Sequence, residues 1–128
     1  MRVFVTKAFR RFQRKEGIRD QALTEAMGRI ERGLADADLG HGLIKQRVAR
    51  PGVGRSGGYR KIIAYRAAHR SVFLYGFAKS AQGNVSLGDQ RDLADFGKLL
   101  LELDERGIEA MLAAGQLTEI IGRDEKEA

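Results

Sequence analysis

The chain has 128 residues, enough to enclose one core and too few for two domains of ordinary size. Hydrophobic residues make up 43% and charged residues 31%, with both signs well represented; this is not the composition of a disordered chain, and no apolar run reaches the length of a membrane span. The net charge of +6, from 23 Lys and Arg against 17 Asp and Glu, suits a polyanionic partner, while the absence of cysteine excludes disulfides and thiolate metal sites.

Arg2 to Val5 is a short β-rich entry and predicts a first strand. Thr6 then stands where a helix N-cap is wanted, and Phe9 and Phe12 share a face of a helix that Gly17 breaks. A second helix follows from about Asp20, with Leu23, Met27, Ile30 and Leu34 as its apolar stripe, ended by Gly33 and the Gly40–Gly42 region. The period next changes to two: Ile44, Gln46 and Val48 alternate with Lys45, Arg47 and Ala49. After the loop Pro51 to Gly58 come YRKIIAYR, a turn near Ala67–Arg70 and SVFLYGFAK, which predict three consecutive antiparallel strands. Ser86 and Asp89 resemble a capping box that starts a third helix, with Leu93, Phe96, Leu100 and Leu103 as its stripe. Gly107 interrupts it, and Ile108, Met111 and Leu112 predict a last short helix ending near Gly115. The order β-α-α-β-β-β-α-α gives an α+β fold: a small antiparallel-rich sheet with helices packed on it. One domain spans residues 1–121, with a helical extension from about 107 to 121, and residues 122–128 form a charged tail with no reason to pack.

Charge is distributed unevenly over these elements. Residues 99–128 hold eight acids and three bases, a net of −5, which leaves +11 on residues 1–98 against the total of +6. From Leu39 to Gly88 there are nine bases and no acid: Lys45, Arg47, Arg50, Arg55, Arg60, Lys61, Arg66, Arg70 and Lys79. A solvated surface ordinarily interleaves both signs. In the strands, Lys45 and Arg47 project to one face, and Arg60 and Arg66 to one face of the next strand. If those faces coincide, three or four cations meet on one side of the sheet, with Lys79 at the end of the neighbouring strand. Such a cluster grips phosphate, Arg with two parallel hydrogen bonds; the alternative is a row of edge charges that blocks aggregation.

Fixed cations also make metal-free RNA cleavage chemically feasible. Attack by the 2′-hydroxyl needs a base, charge stabilisation at phosphorus and protonation of the leaving 5′-oxygen. A Lys crowded by cations has a lowered pKa and is able to serve as the base. Other motifs are weaker. RPGVGRSGG lacks the ending of a nucleotide-binding loop and opens onto a strand; it reads as a basic loop or a long turn. His41 and His69 have no metal-ligand spacing, so no metal or other cofactor is expected. Tyr59, Tyr65, Phe73, Tyr75 and Phe77 either stack on bases or, more commonly for aromatics alternating in a strand, build core.

The stretch LIKQRVARPGVGRSGGYRKIIAYR, followed by VFLYGFAKS and NVS, resembles the RelE/HigB superfamily of bacterial toxin–antitoxin toxins, and its GGYR strand opening and YGFAK strand ending are most like the HigB-like branch. The closing MLAAGQLTEI is similar to that branch's C-terminal extension. The resemblance implies a cytoplasmic toxin that enters the ribosomal A site and cleaves mRNA without a metal, neutralised by a cognate antitoxin, usually a helix-turn-helix protein. It maps Lys45, Arg47, Arg60 and Lys79 to catalysis, with Arg60 stabilising the transition state and Lys45 or Lys79 as base. Arg50, Arg55, Lys61 and Arg66 are the accompanying RNA-binding residues. Ser80 and Ser86 stand where relatives carry a second basic residue and a Tyr or His, and leave the general acid and base unassigned. The alternatives are a toxin of the same fold directed at DNA gyrase, and an RNA- or ribosome-binding module without chemistry.

Overall fold

Thr6 is the hinge on which the fold starts. In the computed structural model, which describes residues 1–49, 59–77 and 87–121, β1 (Arg2–Thr6) runs directly into α1 (Lys7–Glu16). The Thr6 hydroxyl accepts the Phe9 N–H at 3.1 Å, capping the helix as its position predicts. Gly17 closes α1 in the left-handed region, φ 68°. The chain continues as α2 (Asp20–Glu31), β2 (Ala37–Gly40), β3 (Leu43–Ala49), β4 (Tyr59–Arg66), β5 (Arg70–Gly76), α3 (Leu87–Leu101), α4 (Glu105–Ala113) and β6 (Leu117–Ile121).

The architecture is α+β: four helices on a six-stranded mixed sheet of order β2-β3-β4-β5-β1-β6. The run β3-β4-β5 is antiparallel throughout, as the alternating pattern predicts. β1 pairs parallel with β5 and antiparallel with β6. Two strands are not in the predicted order. Ala37–Gly40 is too short and polar to show a period, and among the described residues it pairs only along β3. Leu117–Ile121, expected inside a helical extension, is a strand because β1 offers it an unpaired edge; only the first part of that extension, α4, is helical. The tail 122–128 lies outside the described residues.

One face of the sheet carries Val3, Val5, Ile44, Val48, Ile62, Ala64 and Phe73, against which α1 and α2 set Phe9, Leu23, Met27 and Ile30. Burying each such large side chain contributes roughly 1.5–3 kcal/mol. Phe9 stacks on Phe73 at 5.5 Å between centroids. Gly76 lies under the Phe12 ring, where a Cβ has no room. The other face, with Phe4, Leu43, Ile63, Val72 and Leu74, is covered by α3 and α4 through Leu100, Leu101 and Ile108. Two expected stripe residues turn outward: Leu34 lies beyond the end of α2, and Phe96 is exposed because Ala94, Gly97 and Leu101 form the inward side of α3 instead. Gly97 is the closest point of approach, since a Cβ there would stand 2.5 Å from Tyr65.

The acidic C-terminal region is tied to the far side of the sheet. Arg2 reaches Glu119 of β6 at 2.6 Å and Glu105 of α4 at 2.9 Å, and Arg70 reaches Glu105 at 3.0 Å and the Leu103 carbonyl at 2.6 Å. Its hydrogen bond to Glu119, acting against burial and helped by both carboxylate charges, holds Arg2 above the ordinary arginine pKa.

Candidate nucleic-acid interface

α3 covers only part of its face. Beyond it, where β3 and β4 lead toward residues 50–58, the same face is open and cationic. The β3–β4 register sets Arg47 opposite Lys61, Lys45 opposite Ile63, and Ala49 opposite Tyr59, and directly opposed residues project to one side. Tyr75, opposite Ile63 on β5, joins them. Arg47, Lys61, Tyr59 and Tyr75 are exposed and Lys45 is half-buried. Asp36, Lys45, Gln46, Arg47 and Lys61 line a depression of about 320 Å³.

Like charges directly opposite each other on neighbouring strands destabilise a sheet. The Arg47–Lys61 pair is therefore a cost, eased in two ways. Asp36 accepts from the Arg47 backbone N–H at 2.6 Å and from its Nε at 3.3 Å, and the guanidinium lies over the Tyr59 ring at 5.6 Å. Asp36 also donates its own N–H to the buried Gln46 side chain at 3.0 Å, which fixes the segment that carries this carboxylate. The Arg47 carbonyl accepts from Arg29 of α2 at 2.8 Å. Arg47 is thus oriented while its side chain stays 59% exposed.

The expected coincidence of faces fails for Arg60. It pairs with Val48, one residue out of step with Arg47, and a one-residue step in a strand reverses the face. Its side chain enters the core under α1, 6% exposed, where Nε donates to Glu16 at 2.5 Å and Nη1 to the Tyr59 carbonyl at 2.8 Å. Arg66 shares Arg60's parity and lies at the opposite end of β4, about 17 Å along the strand from Lys61. Lys61, read from the sequence as an accessory RNA contact, stands instead in the centre of the open cluster. Arg50, Arg55, Lys79, Ser80 and Ser86 lie outside the described residues.

The aromatics divide between the two uses. Phe73 and Phe77 are core and Tyr65 is packed beneath α3, whereas Tyr59 and Tyr75 are 56% and 45% exposed beside the cations. Phe77 supports Tyr75 edge-on at 5.4 Å. Cations flanked by exposed rings are the two elements of single-stranded RNA recognition, charge for the backbone and π-faces for the bases. His41 and His69 occupy separate turns, and no group of three His, Asp or Glu among the described residues is placed to hold a metal ion. No described helix is long and apolar enough to cross a membrane.

Residues 1–120 match the model of a protein family described as the RelE toxin of the RelE/RelB toxin–antitoxin system. The chain belongs to the RelE toxin family. No curated protein matches it. The match takes in every described strand and helix except the last residue of β6, so the open face of β3 and β4 belongs to the RelE domain itself. As a RelE toxin, the protein is the toxin half of a toxin–antitoxin pair, with a cognate antitoxin as its partner.

Proposed function

We propose that this RelE toxin is a ribosome-dependent mRNA endoribonuclease of the HigB-like branch, acting in the cytoplasm and restrained by a helix-turn-helix antitoxin. The observation that carries the reading is the opposed Arg47–Lys61 pair on an open face beside Lys45, Tyr59 and Tyr75. That arrangement costs the free protein stability and is relieved by a bound phosphate. In this reading mRNA in the ribosomal A site lies across the open face, with Tyr59 and Tyr75 stacking on bases.

The reaction joins the 2′-oxygen to phosphorus and breaks the bond to the 5′-oxygen, which takes a proton from solvent, leaving a cyclic phosphate and a 5′-hydroxyl. Arg47 and Lys61 offset the charge that builds on the phosphorane oxygens. Either Lys45, half-buried beside them, or Lys79, which lies outside the described residues, takes the 2′-hydroxyl proton. Arg60 braces β4 through Glu16 and positions Tyr59 and Lys61 rather than touching phosphate. Arg50, Arg55 and Arg66 contribute to the wider field that draws RNA in.

The test is cleavage of a defined message on purified translating ribosomes, read by primer extension. The native protein should create new, codon-phased 5′ ends. The triple variant Lys45→Ala, Arg47→Ala, Lys61→Ala should create none while melting within a few degrees of the parent. A triple variant that cuts at the native rate removes this face from the chemistry. Native protein that binds ribosomes without cutting leaves only the binding module.

A further inference from the structure

The acid-free stretch is not the only concentration of positive charge. Residues 1–19 hold seven bases and one acid, Glu16, and that acid is buried against Arg60. Five of the seven bases fall on α1: Lys7, Arg10, Arg11, Arg14 and Lys15. At 100° per residue they occupy an arc of about 140°, while Phe9, Phe12, Gln13 and Glu16 take the opposite side. Lys7, Arg11, Arg14 and Lys15 are exposed, and none has an ion-pair partner among the described residues; Arg10 is held by Asp20 at 2.6 Å. From Lys7 to Lys15 the row is about 12 Å long.

α1 packs on the face of the sheet that carries Phe73 and Ile62, the reverse of the face that carries Lys45, Arg47 and Lys61. A single strand of RNA lying in the open depression does not reach it. The α1 row is therefore a surface separate from that depression, and its composition indicates which kind of partner fits it. A protein partner is anchored by buried aromatic or aliphatic side chains at the centre of the contact. The outward arc of α1 has none: the exposed large hydrophobics of the described structure are Leu34, Tyr59, Tyr75, Phe96 and Leu99, all elsewhere. Cations alone, about 4–6 Å apart along a rigid axis, fit a phosphate backbone, which is read by charge and spacing without apolar anchors.

We propose that the exposed face of α1 is a second RNA-docking surface, which grips the phosphate backbone of double-stranded RNA independently of the single strand on the opposite face. The surface positions the toxin on a structured RNA while the other face engages the message. It requires an RNA partner but not cleavage, so it stands or falls separately from the endonuclease reading.

Binding is measured with the full chain and two probes: a blunt RNA duplex of about 16 base pairs, the length a shape-reading domain covers, and an unstructured single-stranded oligonucleotide. The triple variant Arg11→Gln, Arg14→Gln, Lys15→Gln changes only exposed helix positions and keeps good helix formers. It should lose at least about tenfold in duplex affinity near physiological salt and flatten the salt slope by roughly 2–3. Single-strand affinity should stay within about twofold, because that probe is held by the other face. The triple variant of Lys45, Arg47 and Lys61 should show the reverse pattern. Duplex binding unchanged in the α1 variant overturns the proposal. So does an equal loss on both probes, which marks one diffuse field, or a loss confined to antitoxin binding, which makes α1 a protein surface. Arg14→Lys should retain duplex binding, since the phosphate contact needs the charge.

Discussion

Arg60 and Glu16 meet beneath the sheet, Nε to Oε1 at 2.5 Å, with side chains only 6% and 11% exposed. The pair joins the end of α1 to the start of β4, the strand that presents Tyr59 and Lys61. Removing one partner of such a pair weakens what compensates the other charge in the core, at a cost of up to about 3–5 kcal/mol. Arg60→Ala and Glu16→Ala should each lower the unfolding free energy from urea melts by up to that much, and the double variant Glu16→Leu, Arg60→Met should recover most of it. An Arg60→Ala protein as stable as the parent would show that the pair is not structural. Loss of toxicity in Arg60→Ala therefore carries meaning only beside a stability measurement.

Stability and RNA affinity should move in opposite directions at Lys61. Lys61→Thr removes the like charge across from Arg47 and puts a good strand former on β4. The free protein should gain up to about 0.5–1 kcal/mol by thermal melting. RNA affinity should fall, with the salt slope smaller by about one phosphate contact, roughly 0.7–0.9. A variant that loses stability and keeps its RNA affinity would mean that the opposed pair serves the fold.

Gly76 is set by contact. It sits beneath the Phe12 ring with no space for a methyl group. Gly76→Ala forces α1 off β5 and should cost about 1–3 kcal/mol by denaturant unfolding. Adding Phe12→Leu should return part of that loss. If Gly76→Ala is neutral, the close approach of α1 to β5 is not rigid.

Acid should loosen the start of α2 first. Burial opposes ionisation of Asp20, but hydrogen bonds from Gln13 at 2.5 Å and Arg10 at 2.6 Å, with the Arg10 charge, hold its carboxyl below the usual range. A depressed folded pKa stabilises the protein above the unfolded carboxylate value, about 3.9, and the contribution is lost as pH falls through the folded value. Asp20→Asn should therefore flatten the stability profile below about pH 4 and lower stability at pH 7. Identical acid limbs for the two proteins would remove Asp20 from the transition.

The sequence announced those features whose cause is local. Thr6, Gly17 and the period-two runs each act over a few residues, and the elements they define are present. β2 and β6 were illegible because a short strand is made by the edge it joins: β6 exists through β1, more than a hundred residues away. The site was half legible for the same reason. Alternation put Lys45 with Arg47, but only the pairing register decides that Lys61, not Arg60, stands beside them. The basic arc of α1 is visible in the 3.6-residue period of its charges.

The place of β1 has a consequence for synthesis. The hairpins of β3, β4 and β5 join neighbours in sequence and close early, but β1 must wait, exposing an edge, for a partner that pairs Phe4 with Glu119. A chain interrupted before residue 117 carries its cationic hairpins on an unfinished slab. Such a shortened chain should be cut faster than the whole one in limited proteolysis, because the β1 edge that β6 pairs with is then left open.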